Sequence, residues 1–185
     1  FTSFEHRAQA VPRVTAQAST LGVSIDVLMA SFATLTGVSG NTAEVITQLA
    51  AIFTALIKPS SEATEMAQQM GVQFDAAAIK AAGGMQQFLE SLSADVKRFS
   101  LSSGMLEQEI YGRLFGSAES LRAITPLVGN LADKFRSNAT EMQNSAGAVS
   151  ESFDIMGSTG SAKIQLLNNK LGEFTDVIQG SIGNA

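Results

Sequence analysis

The stretch that decides the fold, residues 21–71, reads LGVSIDVLMASFATLTGVSGNTAEVITQLAAIFTALIKPSSEATEMAQQMG. Its apolar residues recur at three- and four-residue steps, which places them along one face of a helix. Ser24 is a candidate N-cap, and Asp26 complements the positive end of the helix dipole. Gly37 and Gly40 are candidates for the break that follows, because glycine adopts a positive φ at little cost. The first part of the stretch therefore predicts one helix that ends in a Gly/Ser turn.

The second part of the stretch predicts two more helices. Asn41 and Glu44 have the spacing of a capping box at the start of the next helix, and Pro59 prevents that helix from continuing. A short link between two amphipathic helices favours antiparallel packing, so the first two helices are predicted to form a hairpin. A third helix is predicted at residues 60–70, with Gly71 as its end.

The apolar stripes of this hairpin and of residues 117–135 are the candidate helix-packing or partner interface. They comprise Ile25, Leu28, Met29, Phe32, Leu35, Val45, Leu49, Ile52, Phe53, Leu56, Leu121, Ile124, Val128, Leu131 and Phe135. Two interpretations are open: the stripes form an intramolecular core, or their exposed fraction binds partners. Amphipathic helices usually bury their apolar face within their own chain, which favours the first interpretation.

The rest of the chain is predicted to be helical, with one exception. Residues 72–81 lose helical periodicity, and Val72, Phe74 and Ile79 predict two short extended pieces. Further helical stripes lie at residues 85–99, 106–114, 117–135 and 164–178. Ser103 is a candidate cap for the second of these, and Pro126 should kink or interrupt the third near residues 123–125. The prediction is an all-α fold, a helical bundle of about seven helices with one short β-hairpin near residues 72–81.

Three segments are predicted along the chain. Residues 1–20 form an N-terminal helix, residues 21–135 a core helical region and residues 136–185 a C-terminal helical segment. Because the chain begins at Phe1 with sequence typical of a protein interior, we expect it to be a fragment of a much longer chain.

Composition argues against catalysis and nucleic-acid binding. The chain has no cysteine, and its one histidine, His6, has no partner at ligand spacing beyond Glu5. A net charge of −5 and no basic run longer than Lys97–Arg98 disfavour a phosphate-binding surface. No catalytic, cofactor-binding or metal-binding residue is therefore predicted. Charged residues make up 16% of the chain, fewer than usual, so either other chains cover part of the surface or Ser, Thr, Gln and Asn supply its polarity.

Membrane insertion is the main competing interpretation of the hairpin. Residues 27–57 contain a single charge, Glu44. As a transmembrane helix the stretch fails, because Gly40 and Asn41 interrupt it and neither half reaches about 20 apolar residues. A buried hairpin is favoured, and a hairpin that inserts in another state stays open.

Several segments, in order, resemble the core region of tape measure proteins of tailed phages and phage-tail-like particles. They are LGVSIDVLMASFATLTGVSGNTAE, QLAAIFTALIKPSSEATEMAQQMGVQFD, GGMQQFLESLSADVKR, LEQEIYGRLFGSAESLRAITPLVGN and SFDIMGSTGSAKIQLLNNKLGEF. Leu114-Phe115-Gly116 matches a Leu-Phe-Gly that precedes an alanine- and leucine-rich helix in the family. The resemblance covers most of residues 21–175, but Asp75-Ala76-Ala77-Ala78 replaces the family's Asp-Gly turn.

The resemblance implies a structural, non-enzymatic protein of the virion tail, assembled in the host cytoplasm. Such a protein fills the tube lumen, sets tail length, scaffolds tube assembly and leaves ahead of the DNA. The implied partners are further copies of itself, the tail tube protein, tail-tip or baseplate hub proteins and tail assembly chaperones, with contact to the host membrane and no specific nucleic acid. The competing functions are a membrane-active helical segment and an unrelated helical adaptor or effector.

Overall fold

The structure is a computed structural model, and it describes residues 13–39 and 41–154, with side chains placed up to residue 144. Within these residues the chain forms nine α-helices and no strand, which confirms the all-α prediction. The helices are α1 (residues 13–20), α2 (Ile25–Ser39), α3 (Thr42–Ile57), α4 (Ser61–Met70), α5 (Ala76–Ala82), α6 (Met85–Ser103), α7 (Glu107–Phe115), α8 (Ala118–Val128) and α9 (Ala132–Asp154).

The predicted helix caps of α2 and α3 are present. The Ser24 hydroxyl accepts a hydrogen bond from the Val27 amide at 3.3 Å. The Asn41 side chain accepts bonds from the amides of Ala43 and Glu44, as an N-cap residue should. Half of the capping box is missing, however, because the Glu44 carboxylate binds other side chains instead of returning to the cap.

Further along, α3 ends at Ile57 before Pro59, and α4 begins after its cap Ser60. Gly71 ends α4 with φ 72°, and the Val72 amide donates to the Ala67 carbonyl at 3.0 Å. This is the Schellman arrangement, which satisfies carbonyls left free at a helix end.

The β-hairpin predicted near residues 72–81 was wrong. Asp75 is the N-cap of α5, and its carboxylate accepts a hydrogen bond from the Ala78 amide at 2.9 Å. The alanines that follow are the strongest helix formers, so the cap and the propensity together favour one short helix. Gly83, at φ 92°, ends that helix.

The two predicted helix breaks differ in outcome. α2 continues through Gly37 and ends at Ser39, inside the predicted range of Gly37 to Gly40, and Asn41 caps the next helix. α8 continues through Pro126 to Val128, and the break comes at Gly129, where two amides, of Gly129 and Leu131, donate to the Pro126 carbonyl. Pro126 therefore removes only one amide donor from α8, because the helix ends within the next turn.

Ser103 is not a cap of α7. It is the last residue of α6, whose end is formed by Gly104, and α7 begins after Leu106 without a side-chain cap. The stripe predicted at residues 164–178 lies outside the described residues. The predicted segment boundaries after residues 20 and 135 stay predictions.

The core is organised around α2. From Val27 to Leu35 the helix is buried at every position except Ala33, and it packs more on α9 than on α3. α3 packs mainly on α8, α4 on α7 and α5 on α6. The predicted hairpin thus exists as neighbouring helices, but each of its helices finds its main partner later in the chain.

Two buried hydroxyls of α2, those of Ser31 and Thr34, are hydrogen-bonded within the core. Ser31 and Thr34 each donate to the carbonyl four residues earlier at 2.7 Å. Thr34 also accepts a hydrogen bond from the Asn138 side-chain amide of α9 at 3.0 Å. This contact fixes how α9 lies on α2, because a buried polar group without a partner is costly.

Candidate interaction surfaces

Most of the predicted interface residues lie in the core. The buried members are Leu28, Met29, Phe32, Leu35, Val45, Leu49, Ile52, Phe53, Leu56, Ile124 and Phe135. The partly exposed members are Ile25, Leu121, Val128 and Leu131. The stripes therefore hold the helices of this chain together, and only these four members leave part of the side chain accessible.

A large concave surface lies along the outer face of α3. It is a groove of about 710 Å³. Small side chains of α3 form its wall, among them Thr47, Ala50, Ala51 and Thr54. Apolar residues from α3 and from the end of α7 lie beneath them, and these include Ile46, Leu114 and Phe115. The groove we call the α3 groove is therefore mainly apolar.

The α3 groove has a different charge at each end. Gln17 of α1 donates to the Thr54 hydroxyl at 2.9 Å, which places α1 beside the C-terminal half of α3. Arg13, one turn before Gln17, and Lys58 both line the groove there. Neither forms an ion pair with a described residue.

The other end of the α3 groove is acidic. Arg122 of α8 lies 3.4 Å from the Glu44 carboxylate in the first turn of α3. Glu119, one turn before Arg122, is exposed and lines the groove. Between Glu44 and Lys58 no residue of α3 is charged. The α3 groove thus has an uncharged wall, a basic end and an acidic end. A helix with an apolar face and oppositely charged ends would complement such a surface.

A second apolar surface lies at the turn between α6 and α7, which we call the 101–106 turn. Leu101 is 81% exposed and Leu106 is 72% exposed. The sequence placed Leu106 in the same stripe as Ile110 and Leu114, but only the latter two are buried. Large hydrophobic side chains so exposed are candidates for contact with another molecule.

The 101–106 turn is held by its own hydrogen bonds. The Ser100 hydroxyl donates to the Met105 carbonyl at 2.6 Å, and the Ser103 hydroxyl donates to the Phe99 carbonyl at 2.7 Å. The Met105 amide in turn donates to the Ser103 hydroxyl. Both leucines are thus presented from a turn of defined shape, which lowers the entropy cost of binding.

Two buried polar atoms among the described residues lack a hydrogen bond, the Gln17 amide oxygen and the Tyr111 hydroxyl. Tyr111 is 5% exposed, and its hydroxyl has no hydrogen-bond partner among the described residues. Burial raises the pKa of Tyr111, and the neighbouring Ser93 hydroxyl partly opposes that rise. The Tyr111 ring lies in the core, tilted by 36° against the Phe115 ring at 6.5 Å, and the Phe115 ring meets Phe74 edge-on at 5.0 Å. Tyr111 therefore serves as a core aromatic residue.

Neither a metal-binding group nor a membrane-spanning helix is present among the described residues. No three His, Cys, Asp or Glu side chains in residues 13–39 and 41–144 are grouped so that they could bind a metal ion. No described helix combines the length and the apolar character that crossing a membrane requires.

Sequence reasoning missed both surfaces for the same reason. It followed large apolar residues, whereas Thr47, Ala50, Ala51 and Thr54 are small, and the 101–106 turn carries only isolated leucines. The sequence feature that indicates the α3 groove is the lack of charge between Glu44 and Lys58. From the sequence alone, this feature was considered only in connection with membrane insertion. No signal distinguished Leu106 from its buried neighbours, because its exposure depends on where α6 ends.

Comparison with known proteins identifies a family. The family model described as phage-related minor tail protein matches residues 2–116, which include α1 to α7. No curated protein and no solved structure matches the chain. The family model spans well over half of the chain. It includes the whole 101–106 turn and most of the residues that line the α3 groove. The chain belongs to the phage-related minor tail protein family and is a structural protein of a phage tail.

Proposed function

We propose that the chain is part of a tail tape measure protein. In this role it occupies the lumen of the growing tail tube, contributes to setting tail length, scaffolds tube assembly and leaves ahead of the DNA. The observation that carries the proposal is membership in a minor tail protein family, together with the ordered segments that resemble the tape measure core. A structural tail family also fits a non-enzymatic role.

The packed helices bear on which part of the protein would measure length. If all 185 residues formed one helix, it would span about 280 Å at 1.5 Å per residue. The longest described helix, α9, has 23 residues and spans only about 35 Å. In the proposed role, the body formed by α1 to α9 is therefore a contact module, and length is set by more extended parts of the protein.

The proposed contacts use the surfaces that the core leaves open. The partners are further copies of the chain, the tail tube protein, tail-tip or baseplate hub proteins and tail assembly chaperones. The 101–106 turn supplies two exposed leucines on a defined backbone, and such anchors contribute disproportionately to binding when a partner buries them. The location that fits these partners is the tube lumen or the tail tip.

A co-purification experiment tests the contact module. The tagged protein is isolated from assembling tails, and recovery of the tube protein is measured for Leu101→Ser/Leu106→Ser and for the control Val38→Ser. Val38 is also a large exposed hydrophobic residue, at 63%, but it lies at the end of α2. We expect the double substitution to lower recovery by about tenfold and the control to leave it unchanged. Equal recovery would contradict a contact through the 101–106 turn.

A deletion experiment tests the ruler. An in-frame deletion in a helical stretch of the parent protein, outside residues 13–154, should shorten tails by about 1.5 Å per residue removed. Electron microscopy of negatively stained tails measures the change. Tails of wild-type length after such a deletion would exclude a role in setting length.

Membrane activity is a second candidate, because residues 27–57 carry a single charge. In the folded body α9 packs on α2 and α8 packs on the inner face of α3, so insertion of the buried faces would require both helices to move away. Leakage of dye from anionic lipid vesicles, measured from pH 4 to 8 with the whole chain, tests this candidate. Intact vesicles across that range would argue against it.

A further inference from the structure

We propose that two copies of the chain pair through the α3 groove, with their α3 helices antiparallel and related by a two-fold axis. The occupant of the groove in one copy is then α3 of the second copy. Further copies of the chain are among the proposed partners in the tail, so this pairing rests on the proposed function and specifies how two copies would meet.

The outward face of α3 allows another helix to approach closely. Between Glu44 and Ile57, the residues of α3 that are not buried are all alanine or threonine, and they are Thr47, Ala50, Ala51, Thr54 and Ala55. The distance between packed helices depends on the side chains at the contact, and side chains this small permit the short end of the usual range, about 8 Å. Pairing would also remove the mainly apolar surface of the groove from water, which favours association.

The charges of the α3 groove are self-complementary. Arg13 and Lys58 line one end and Glu119 lines the other, and none of the three forms an ion pair with a described residue. In an antiparallel pair the basic end of each copy faces the acidic end of the other, so the same attraction occurs twice. A parallel pair would instead place like charges together at both ends, which is unfavourable.

α3 itself has the charge pattern that the groove requires of its occupant. It carries Glu44 in its first turn and ends at its C-cap Lys58, and no residue between them is charged. An antiparallel α3 from a second copy therefore brings an acidic residue to the basic end of the groove, and its uncharged face to the uncharged wall. A second copy of the chain meets these requirements without any further partner.

One register satisfies the charges and the small side chains together. If Glu44 of each copy lies opposite Lys58 of the other, the two-fold axis passes Ala51, which is midway between them in the sequence. Ala51 then meets Ala51 of the second copy, and Thr47 meets Ala55 of the second copy. Because all these side chains are small, the two helices can lie close along the whole contact.

The expected pairing is weak and reversible. The facing stretch from Glu44 to Lys58 spans about 21 Å of helix at 1.5 Å per residue. A contact between two helices of this length buries less than the roughly 1,200 Å² at which stable interfaces begin, and such small contacts are typical of transient pairs. We therefore expect a dissociation constant of about 100 µM.

Analytical ultracentrifugation of the full chain, up to about 1 mM, tests the charges. Lys58→Glu and Glu119→Lys should each weaken self-association by at least about tenfold, because each dimer then contains two like-charge contacts. An equimolar mixture of the two variants should associate again, because both contacts of a mixed dimer join opposite charges. The control Lys80→Glu makes the same change on an exposed residue of α5 and should have no effect.

Three results of the ultracentrifugation would each overturn the pairing: a chain that stays monomeric at about 1 mM, a dimer that neither substitution weakens, and a mixture that does not associate. Each of them would leave the tape measure role standing. That role is tested separately, by recovery of the tube protein and by tail length.

Disulfide cross-linking tests the two-fold axis, since the chain has no natural cysteine. Ala51→Cys should cross-link two copies readily, because the two thiols meet at the axis within the about 7 Å that a disulfide can bridge between Cα atoms. The matched controls Thr47→Cys and Ala55→Cys each lie about 12 Å along the helix from the same residue of the second copy. Each control alone should therefore cross-link at least about tenfold more slowly, whereas a mixture of the two should cross-link quickly. Equal rates for Ala51→Cys and Thr47→Cys would overturn the proposed pairing.

Discussion

Helices α2 and α3 come from one continuous stretch of sequence and have 15 and 16 residues, yet they are buried differently. α2 is enclosed on nearly every side, and the hydroxyls of Ser31 and Thr34 bond to its own backbone, with Thr34 also bonded to α9. α3 is enclosed on one face only, and its other face forms the wall of the α3 groove. The lack of charge in the two helices therefore has two causes, burial in α2 and an open apolar surface in α3.

The largest expected effect contrasts one alanine in each helix. Ala30 of α2 is fully buried, whereas Ala51 of α3 is partly exposed in the groove. Ala30→Glu should cost more than about 4 kcal/mol of unfolding free energy, because it buries a charge without a partner. Ala51→Glu should cost less than about 1 kcal/mol. Urea denaturation followed by circular dichroism measures both, and similar losses would remove the distinction between the helices.

The contact between α2 and α9 gives the next effect. Thr34→Val removes the acceptor of the Asn138 amide and should destabilise the fold by about 1–2 kcal/mol, because that amide is left partly buried without its partner. Replacing Asn138 by Leu in the same chain should recover part of the loss. A double-mutant cycle measures the coupling. Additive losses would show that the hydrogen bond does not hold α9 on α2.

A glycine substitution tests where α2 ends. Gly37 lies inside α2, and an added Cβ would meet its nearest atom, Lys134 Nζ, at 3.5 Å, an ordinary contact. Gly37→Ala should therefore stabilise the fold by about 0.5–1 kcal/mol, as expected within a helix. The control Gly71→Ala should destabilise by about 1 kcal/mol, because Gly71 has φ 72°. A loss of stability for Gly37→Ala would contradict a helical conformation at Gly37.

The smallest effect concerns the first turn of α2. Burial raises the pKa of Asp26 above its usual 3.8, although its backbone hydrogen bond acts in the opposite direction. The folded state therefore favours the protonated form, and this residue adds stability as the pH falls through its raised pKa towards 3.8. Asp26→Asn should remove that pH dependence and stabilise the fold at pH 7 by less than about 0.5 kcal/mol, since the group is largely solvated.

An NMR titration measures the Asp26 pKa, and Glu90 provides a control of opposite sign. The hydrogen bond from Arg136 lowers the pKa of Glu90 below its usual 4.5. Stability from that pair is present at neutral pH and is lost as the pH falls through the folded pKa. Arg136→Ala should raise the Glu90 pKa and leave Asp26 unchanged. A titration of Asp26 at or below 3.8 would contradict the burial of the first turn.

Helices and caps were predictable because their causes lie within a few residues. Asn41, Ser60 and Gly71 do what their residue types favour, and the apolar stripes face the core as their spacing requires. The helix at Asp75 was also predictable from nearby residues, because Asp followed by three alanines is a favourable helix start. A pattern of large apolar residues was given more weight than the cap.

The partners of each helix were not predictable in the same way. Nothing near Thr34 indicates that it will bond to Asn138, and nothing in α3 indicates which face α8 leaves open. The exposure of Leu106 likewise depends on the turn that begins at Gly104. Stripes show which side of a helix is buried, but the choice between neighbours depends on the shape of the whole core.

The pairing of α2 with α9 has a consequence for synthesis of the protein. Thr34 and Asn138 are 104 residues apart. At a translation rate of about 5–20 residues per second, α2 leaves the ribosome about 5–20 s before the helix that encloses it. During that interval its most apolar side chains have no native cover, and a nascent chain in that state is prone to aggregate.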